Sequence, residues 1–523
     1  MILYLVSANI RRIAKNFENF IDKFDDKYFI VIFFVLINFF AQIVISSGHN
    51  WGGDFSQYIA QARAVSNGEI HAWLDKQSFI AENSIPGLCP LIYPWGTALI
   101  ILPLYKIFGI NFYAFKCLMA LFLAGSWVIF YLFLRLKFGK AVSATLTAIL
   151  MLNVYYIWFI DNVLSEMPFL FFSFATIFFI YKRKLSDKKL VEYSILIGVL
   201  LFFSIQLRSL GIALLIALIF DDIISIVMNF RRKILTREKI ISTFTVYALP
   251  YIIFFILRVI LLSNLPYISV QKNTGYLVFF SLRPDDILNQ IISYTKLFGN
   301  FFMPLIDFKF IFNWFGLINE NLICTILSTL FLFTVLVGMI KKFSVDRYII
   351  FYFVITLATL CTFNTAGGLM RYIFGIIPFA LYFSFYGINF IAKKFNVFKL
   401  RDAVFFSVIV TTLLFNIKFI TGFRHIDIYQ AYSKEALATY EFINENISDE
   451  KIIFFFKPRV LYLNTNVYAY FGGGGEENLN LADYVLFNED DSLDDLKKIV
   501  ANSPKYELTY CNEKFVLYKI LKD

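Results

Sequence analysis

A carboxylate at the lip of a membrane segment can take a proton, and arginines on the same face can hold a phosphate; this chain offers both. Asp54 stands in HNWGGDFSQYIAQA (49–62), directly after the first long hydrophobic run. Gly52 and Gly53 precede it and Gln57 follows three positions on, so the local pattern predicts a helix N-cap at Asp54. Tyr58 then shares its face, with Gln61 close by at i+7. A helix N-terminus also favours the ionised carboxylate, the form in which a general base must start. Asp161 and Glu166 lie in FIDNVLSEMPFLFF, a short connection without Lys or Arg. They read either as a polar loop with a capping box at Ser165, or as two acids that bind a cation, a basic acceptor group or an arginine from elsewhere. Arg208 (SIQLRSLGIALL) and Arg371 (GGLMRYIFGIIPFALYF) bring a permanent charge and planar donors suited to phosphate oxygens. Snorkelling to the headgroups is the ordinary alternative and is the reading for Arg258. Gly367, Gly368 and Tyr372 would let a ligand approach Arg371 closely. The three histidines, His49, His71 and His425, are too scattered for a metal site or a triad.

The elements that position these residues are membrane spans. The chain has 523 residues, 59% of them hydrophobic and 16% charged, with a mean hydropathy of +0.68; a soluble protein has about a quarter charged residues. The apolar content comes in blocks such as YFIVIFFVLINFFAQIVISS (28–47), as long as the roughly 20 residues a span needs. The net charge of +10 is not a nucleic-acid signature, because it falls between the blocks. Segments 11–27, 135–140, 182–189, 231–239, 341–347 and 393–401 hold 25 of the 48 Lys and Arg residues, whereas the alternate connections hold 8. That is the positive-inside pattern.

With the basic clusters inside, eleven spans are expected: roughly 28–47, 112–134, 141–159, 164–181, 190–207, 209–228, 240–262, 321–340, 348–364, 370–391 and 402–420. The N-terminus is then cytoplasmic and the C-terminus outside. Two further apolar stretches, 93–109 and 297–318, are interrupted by prolines and glycines or by charges and would raise the count to thirteen if both crossed; the first reads as a partial or re-entrant helix. The 1–27 segment reads as part of an uncleaved anchor. The division is a transmembrane domain (1–424) with a long first outer loop (48–92), then a soluble extracytoplasmic α/β domain (425–523). In the latter, an amphipathic helix at 433–447 and another at 492–501 alternate with the short β runs IIFFF, DYVLF and FVLYKIL. Gly472–Gly475 lacks a following Lys-Ser/Thr and reads as a flexible turn. Cys89 and Cys511 fall on the outer side and could pair, but no CxxC or metal spacing occurs and inert thiols are the plainer reading.

Taken in order, GGDFSQYIAQARAVSNGE (52–69), YPWGTALIILPLYKIFG (93–109), DNVLSEMPFLFF (161–172), QLRSLGIALL (206–215), RYIFGIIPFALYF (371–383) and FINENISDEKIIFFFKPRVLYLNT (442–465) form a familiar series. It resembles the GT-C superfamily of membrane glycosyltransferases, in the branch of protein O-mannosyltransferases and lipid A aminoarabinose transferases, over nearly the whole chain. The resemblance implies an α-helical polytopic GT-C-like protein. It would move a sugar, with inversion, from a polyprenyl phosphate such as undecaprenyl phosphate to a hydroxyl of a lipid, glycan or protein in the cell envelope. It also implies an acid in the first outer loop that acts on the acceptor, the position of Asp54. Phe55 follows where the protein-mannosylating branch often has Glu, so a mannosyltransferase is not specifically implied. Asn464-Thr465-Asn466 stands where relatives commonly place an arginine.

On this reading Asp54 is catalytic, and Asp161, Glu166 and Tyr58 serve the acceptor or act as a second acid. Arg371, Arg208 and Tyr372 would bind the donor phosphate, and Tyr93 and Trp95 would shape the donor cavity. No cofactor is firmly implied, though a divalent metal fits the two acids; no nucleic acid is needed. A bacterial inner membrane suits the Phe-, Ile-, Lys- and Asn-rich usage. The rival readings are a flippase of lipid-linked saccharides and an O-antigen polymerase or ligase.

Overall fold

The computed structural model describes residues 18–85, 93–186, 188–231, 237–263, 280–302 (except 282), 320–363, 370–397 and 430–521, with the isolated Asn16 and Leu265. Among the described residues, five helical stretches are long and apolar enough to cross a membrane: Asp26–Val44, Phe112–Arg135, Leu190–Leu207, Ser209–Met228 and Thr325–Thr362. The chain is a multi-pass membrane protein. The first helix, α1 (Asp26–Val44), shows how: Phe29, Phe33, Ile37, Ala41 and Val44 are buried at i, i+4 spacing, while Val31, Phe34, Val35 and Phe39 face outward. Asp25 caps it by accepting from the Lys27 N–H at 3.3 Å.

The connection after α1 is itself helical, with α2 (Gly53–Asn67) and α3 (Ile70–Asn83). After it comes α4 (Gly96–Phe108), whose 13 residues reach about 20 Å, short of a roughly 30 Å hydrocarbon core. α5 (Phe112–Arg135) follows. The span expected over 141–159 is instead two short helices, α6 (Lys140–Met151) and α7 (Val154–Phe159). Asn153 breaks them by leaving the helical region and accepting from the Tyr155 N–H at 3.0 Å, while its amide donates to the Phe301 carbonyl at 2.8 Å. Next are α8 (Glu166–Leu185), α9 (Leu190–Leu207), α10 (Ile212–Arg231), α11 (Arg237–Leu262) and α12 (Pro284–Phe302). The spans expected at 321–340 and 348–364 form one helical stretch, α13 (Glu320–Thr362), broken at Asp346. That expected at 370–391 begins with one turn, α14 (Met370–Ile373), before α15 (Ile377–Phe395). The expected span 402–420 and most of 297–318 lie outside the described residues, as do Gly367, Gly368 and Cys89.

One end of the bundle is tied by charge. Asp346 accepts from Lys137 at 2.7 Å, Tyr181 at 2.9 Å and Tyr382 at 2.7 Å. Beside it, Arg183 pairs with Asp222 at 2.8 Å, Lys184 with Asp221 at 2.6 Å and Arg347 with Asp221 at 3.3 Å. These contacts join α8, α10, α13 and α15. Arg183 is 17 residues along α8 from Glu166, about 25 Å away.

The terminal region carries α16 (Lys434–Asn446), α17 (Pro458–Thr465) and α18 (Asp494–Asn502) around a mixed sheet. Its strands are β1 (Ile452–Phe454), β2 (Tyr468–Tyr470), β3 (Tyr484–Asn488), β4 (Tyr506–Cys511) and β5 (Phe515–Ile520), in the order β2-β1-β3-β5-β4. β1 runs parallel to β2 and β3; β5 is antiparallel to β3 and β4. On α16, Ala436, Thr439, Tyr440 and Ile443 are buried, whereas Leu437 is exposed. The region docks on the first connection: the Trp51 indole donates to Asp490 at 2.9 Å and packs on Phe455 and Phe456. Arg63 donates to the Leu463 carbonyl at 2.9 Å.

Candidate active site

Asp54 does not cap its helix. Gly52 is the N-cap, with φ −61° and ψ 130°, and Asp54 is the second residue of α2. Its side chain turns outward instead. Oδ2 accepts from Arg371 Nη1 at 2.7 Å and Oδ1 from the Tyr93 hydroxyl at 2.9 Å. Gln61, two turns further along α2, fixes Tyr93 by donating to its carbonyl at 2.9 Å. Burial pushes the Asp54 carboxyl up, but the Arg371 charge and hydrogen bond, helped by Tyr93 and the charge of Arg459, outweigh it and hold the group below its ordinary range. Asp54 is therefore ionised.

Glu166 opens α8 on the other side of Arg371. Its carboxylate is 2% exposed, pairs closely with Arg208 Nη1 and lies 3.7 Å from Arg371 Nε. Arg208 is held there because the chain leaves α9 in an extended conformation, φ −145° and ψ 136°. The capping box expected at Ser165 does not form; its hydroxyl accepts from Tyr58 at 3.2 Å and Arg208 at 3.4 Å. Tyr58 thus faces Ser165 rather than Asp54, and burial pushes its phenol up, so it is a donor. The Tyr372 ring lies under both guanidinium groups, 5.3 Å from Arg208 and 5.3 Å from Arg371.

The sequence reading missed Arg459. It lies at the start of α17, 3% exposed, with its guanidinium 5.0 Å from the Tyr93 ring. The signal was Lys457-Pro458-Arg459, a proline-opened helix carrying a cation, five residues before the Asn464 position where an arginine was sought. Two carboxylates, Asp54 and Glu166, are paired with the two guanidinium groups of Arg371 and Arg208, and the Arg459 charge also acts on Asp54.

Asp161 belongs elsewhere. Lys116, fully buried on α5, pairs with it at 2.7 Å, and Asp161 also accepts from the Ser46 N–H at 2.6 Å and the Ser46 hydroxyl at 2.9 Å. It closes the end of α1 rather than lining the site, so the acceptor role expected for it is not what its contacts support. Lys116→Met is expected to cost about 3–5 kcal/mol by leaving a buried carboxylate uncompensated. The double variant with Asp161→Leu should recover most of that loss, read as thermal unfolding in detergent. Trp95, expected in a donor cavity, is 4% exposed and packs edge-on against Trp73 at 5.4 Å. His49 stacks on Phe55 at 3.7 Å, and burial, together with the Lys116 charge, pushes it down to about 3, so it is neutral. Among the described residues no group of three or more His, Cys, Asp or Glu side chains is arranged so as to hold a metal ion.

The fold has solved counterparts. ArnT from Cupriavidus metallidurans bound to undecaprenyl phosphate aligns with a TM-score of 0.54 at 11% identity, covering 93% of this chain and 97% of that one. Its apo state aligns with a TM-score of 0.52 at 12% identity over the same shares. This is the GT-C fold. The oligosaccharyltransferase of Archaeoglobus fulgidus tethered to an acceptor peptide containing the NVT sequon also aligns, with a TM-score of 0.50 at 9% identity over 88% of this chain and 69% of that one. At such identities the likeness is one of fold. No family model and no curated protein sequence matches the chain. In this chain α2 packs on α17 and α3 on β2 of the terminal region, α4 packs on α9 of the bundle, and Asp54, Glu166, Arg208 and Arg371 come together beside them.

Proposed function

We propose that the protein is an inverting glycosyltransferase that moves a sugar from a polyprenyl-phosphate donor to a hydroxyl of an envelope lipid, glycan or protein. The observation that carries this is the Asp54–Arg371–Glu166–Arg208 cluster, with the Arg459 guanidinium close by over the Tyr93 ring, on a fold shared with a protein solved with undecaprenyl phosphate. The acceptor oxygen attacks the anomeric carbon from the face opposite the phosphate. The carbon–oxygen bond to the phosphate breaks with its electron pair, and the acceptor proton passes to Asp54. Phosphate leaves without protonation, its growing charge met by Arg371, Arg208 and Arg459. Asp54 then returns the proton to water.

Other features suit a sugar. Gln61 Oε1, Trp73 Nε1, both ends of the Gln77 amide and Thr97 Oγ1 are buried without hydrogen-bond partners on the helices that flank Tyr93 and Trp95. Such groups cost about 1–3 kcal/mol each when left unpaired, and a polyol's hydroxyls would satisfy them. Asp161 and Glu166, the two acids read as the pair for a divalent metal, are engaged separately by Lys116 and Arg208, so no step is routed through a metal. Residues 1–424 would form the catalytic membrane domain and 425–523 an outer domain that delivers Arg459, in a bacterial inner membrane with the N-terminus cytoplasmic.

The test is a proteoliposome assay with a lipid-linked sugar donor and an envelope extract. Free polyprenyl phosphate should appear only when acceptor is present. Transbilayer movement of intact donor without cleavage would instead make the protein a flippase.

A further inference from the structure

Glycosyl transfer changes the charge of the ligand that remains in the site. The donor is a phosphodiester with one negative charge, whereas the released polyprenyl phosphate is a monoester that approaches two above a pH of about 6. A clamp of Arg208, Arg371 and Arg459 alone would therefore hold its product more tightly than its substrate. Glu166 sits where it can prevent that. It is buried and engages two of the three guanidinium groups at once.

We propose that Glu166 is a positioning residue for product release: a built-in counter-anion that keeps the arginine clamp from favouring the dianionic product over the monoanionic donor. This rests on the glycosyl-transfer reading. A fixed negative charge opposes a ligand in proportion to that ligand's own charge, so it penalises the product about twice as much, in free energy, as the donor. Asp54 cannot substitute for it, because Asp54 must receive a proton during the reaction.

The experiment measures binding of undecaprenyl phosphate, and of its monoanionic methyl ester as a donor-like probe, to the full-length protein in nanodiscs, with multiple-turnover kinetics. The wild-type protein should bind the two within about threefold of each other. Glu166→Gln should tighten the monoester about tenfold and the methyl ester about threefold, the ratio expected when one field acts on two charges or on one. Its kinetics should show a burst of one turnover followed by a slow steady state. Glu166→Asp, which keeps the charge, should stay near wild type in the ratio. Should Glu166→Gln fail to fold, the wild-type ratio still decides, because a preference for the monoester above about tenfold overturns the proposal. So does equal weakening of both ligands in Glu166→Gln, which would make the residue a scaffold, and so does a change confined to the acceptor KM. A wild-type protein that binds neither ligand sinks the glycosyl-transfer reading itself and not this refinement alone.

Discussion

Asp54→Asn should lower the turnover number for transfer by about 10²–10⁴-fold, the range a positioned general base contributes, with donor binding retained. The substitution keeps the side-chain volume and lets Tyr93 go on donating to the remaining oxygen, so the local packing survives. What disappears is the proton acceptor and the charge that faces Arg371. With Arg371 no longer shared, affinity for polyprenyl phosphate should hold or rise while the chemical step collapses. Transfer at the wild-type rate by the folded variant would remove Asp54 from the mechanism.

A pH profile provides a second check on the same residue. The Asp54 carboxyl is held below its ordinary range, so kcat/KM, which reports the free enzyme, should stay flat as pH falls to the ordinary Asp value of about 3.9. Only below that should the acid limb set in. The sign for stability is the same: a depressed carboxyl contributes stability above its unfolded pKa and loses it as pH falls through the folded one.

Arg371→Ala should be nearly as damaging, because one guanidinium serves both carboxylates. Its loss strips Asp54 of its 2.7 Å partner and leaves Glu166 with Arg208 alone. Removing one preorganised donor from a developing anion costs about 10²–10³-fold in rate, and here phosphate binding weakens as well. The stability loss should be smaller than for a fully buried pair, since the Arg371 and Asp54 side chains are 22% and 27% exposed. Arg371→Lys keeps the charge but not the fork that reaches two carboxylates, so it should recover only part of the activity. In a double-mutant cycle with Asp54→Asn, the combined loss should fall well short of the sum of the two single losses. Strict additivity would mean that the pair does not act as a unit.

The sequence made the membrane class and the arginines legible, because hydropathy blocks and alternating basic clusters are local signals. Arg208 and Arg371 stood out for the same reason: a charge at a span end is costly and visible without knowing its neighbours. Partnership was not legible. Asp161 and Glu166 lie five residues apart in one loop and looked equivalent, yet Lys116 takes one and Arg208 the other. Nothing in the loop encodes that choice; it is made by the packing of α5 and α9 against α8. Asp54 read as a cap because Gly-Gly-Asp fits one, but its contacts with Tyr93 and Arg371 pull the carboxylate away from the helix amides. Arg459 was invisible for a plainer reason: its role depends on how the terminal sheet docks on α2, a contact more than 390 residues long in sequence, as between Arg63 and Leu463.

The charged lattice around Asp346, Asp221 and Asp222 gives the molecule a fulcrum. Four helices are pinned together at the end of the bundle that lies about 25 Å from Glu166. When pinned rods flex, displacement grows with distance from the pin, so the amplitude available to the chain is concentrated at the rim that carries Asp54. On the proposed glycosyl-transfer reading, a long isoprenoid tail would enter and leave sideways by a small splaying of those free ends.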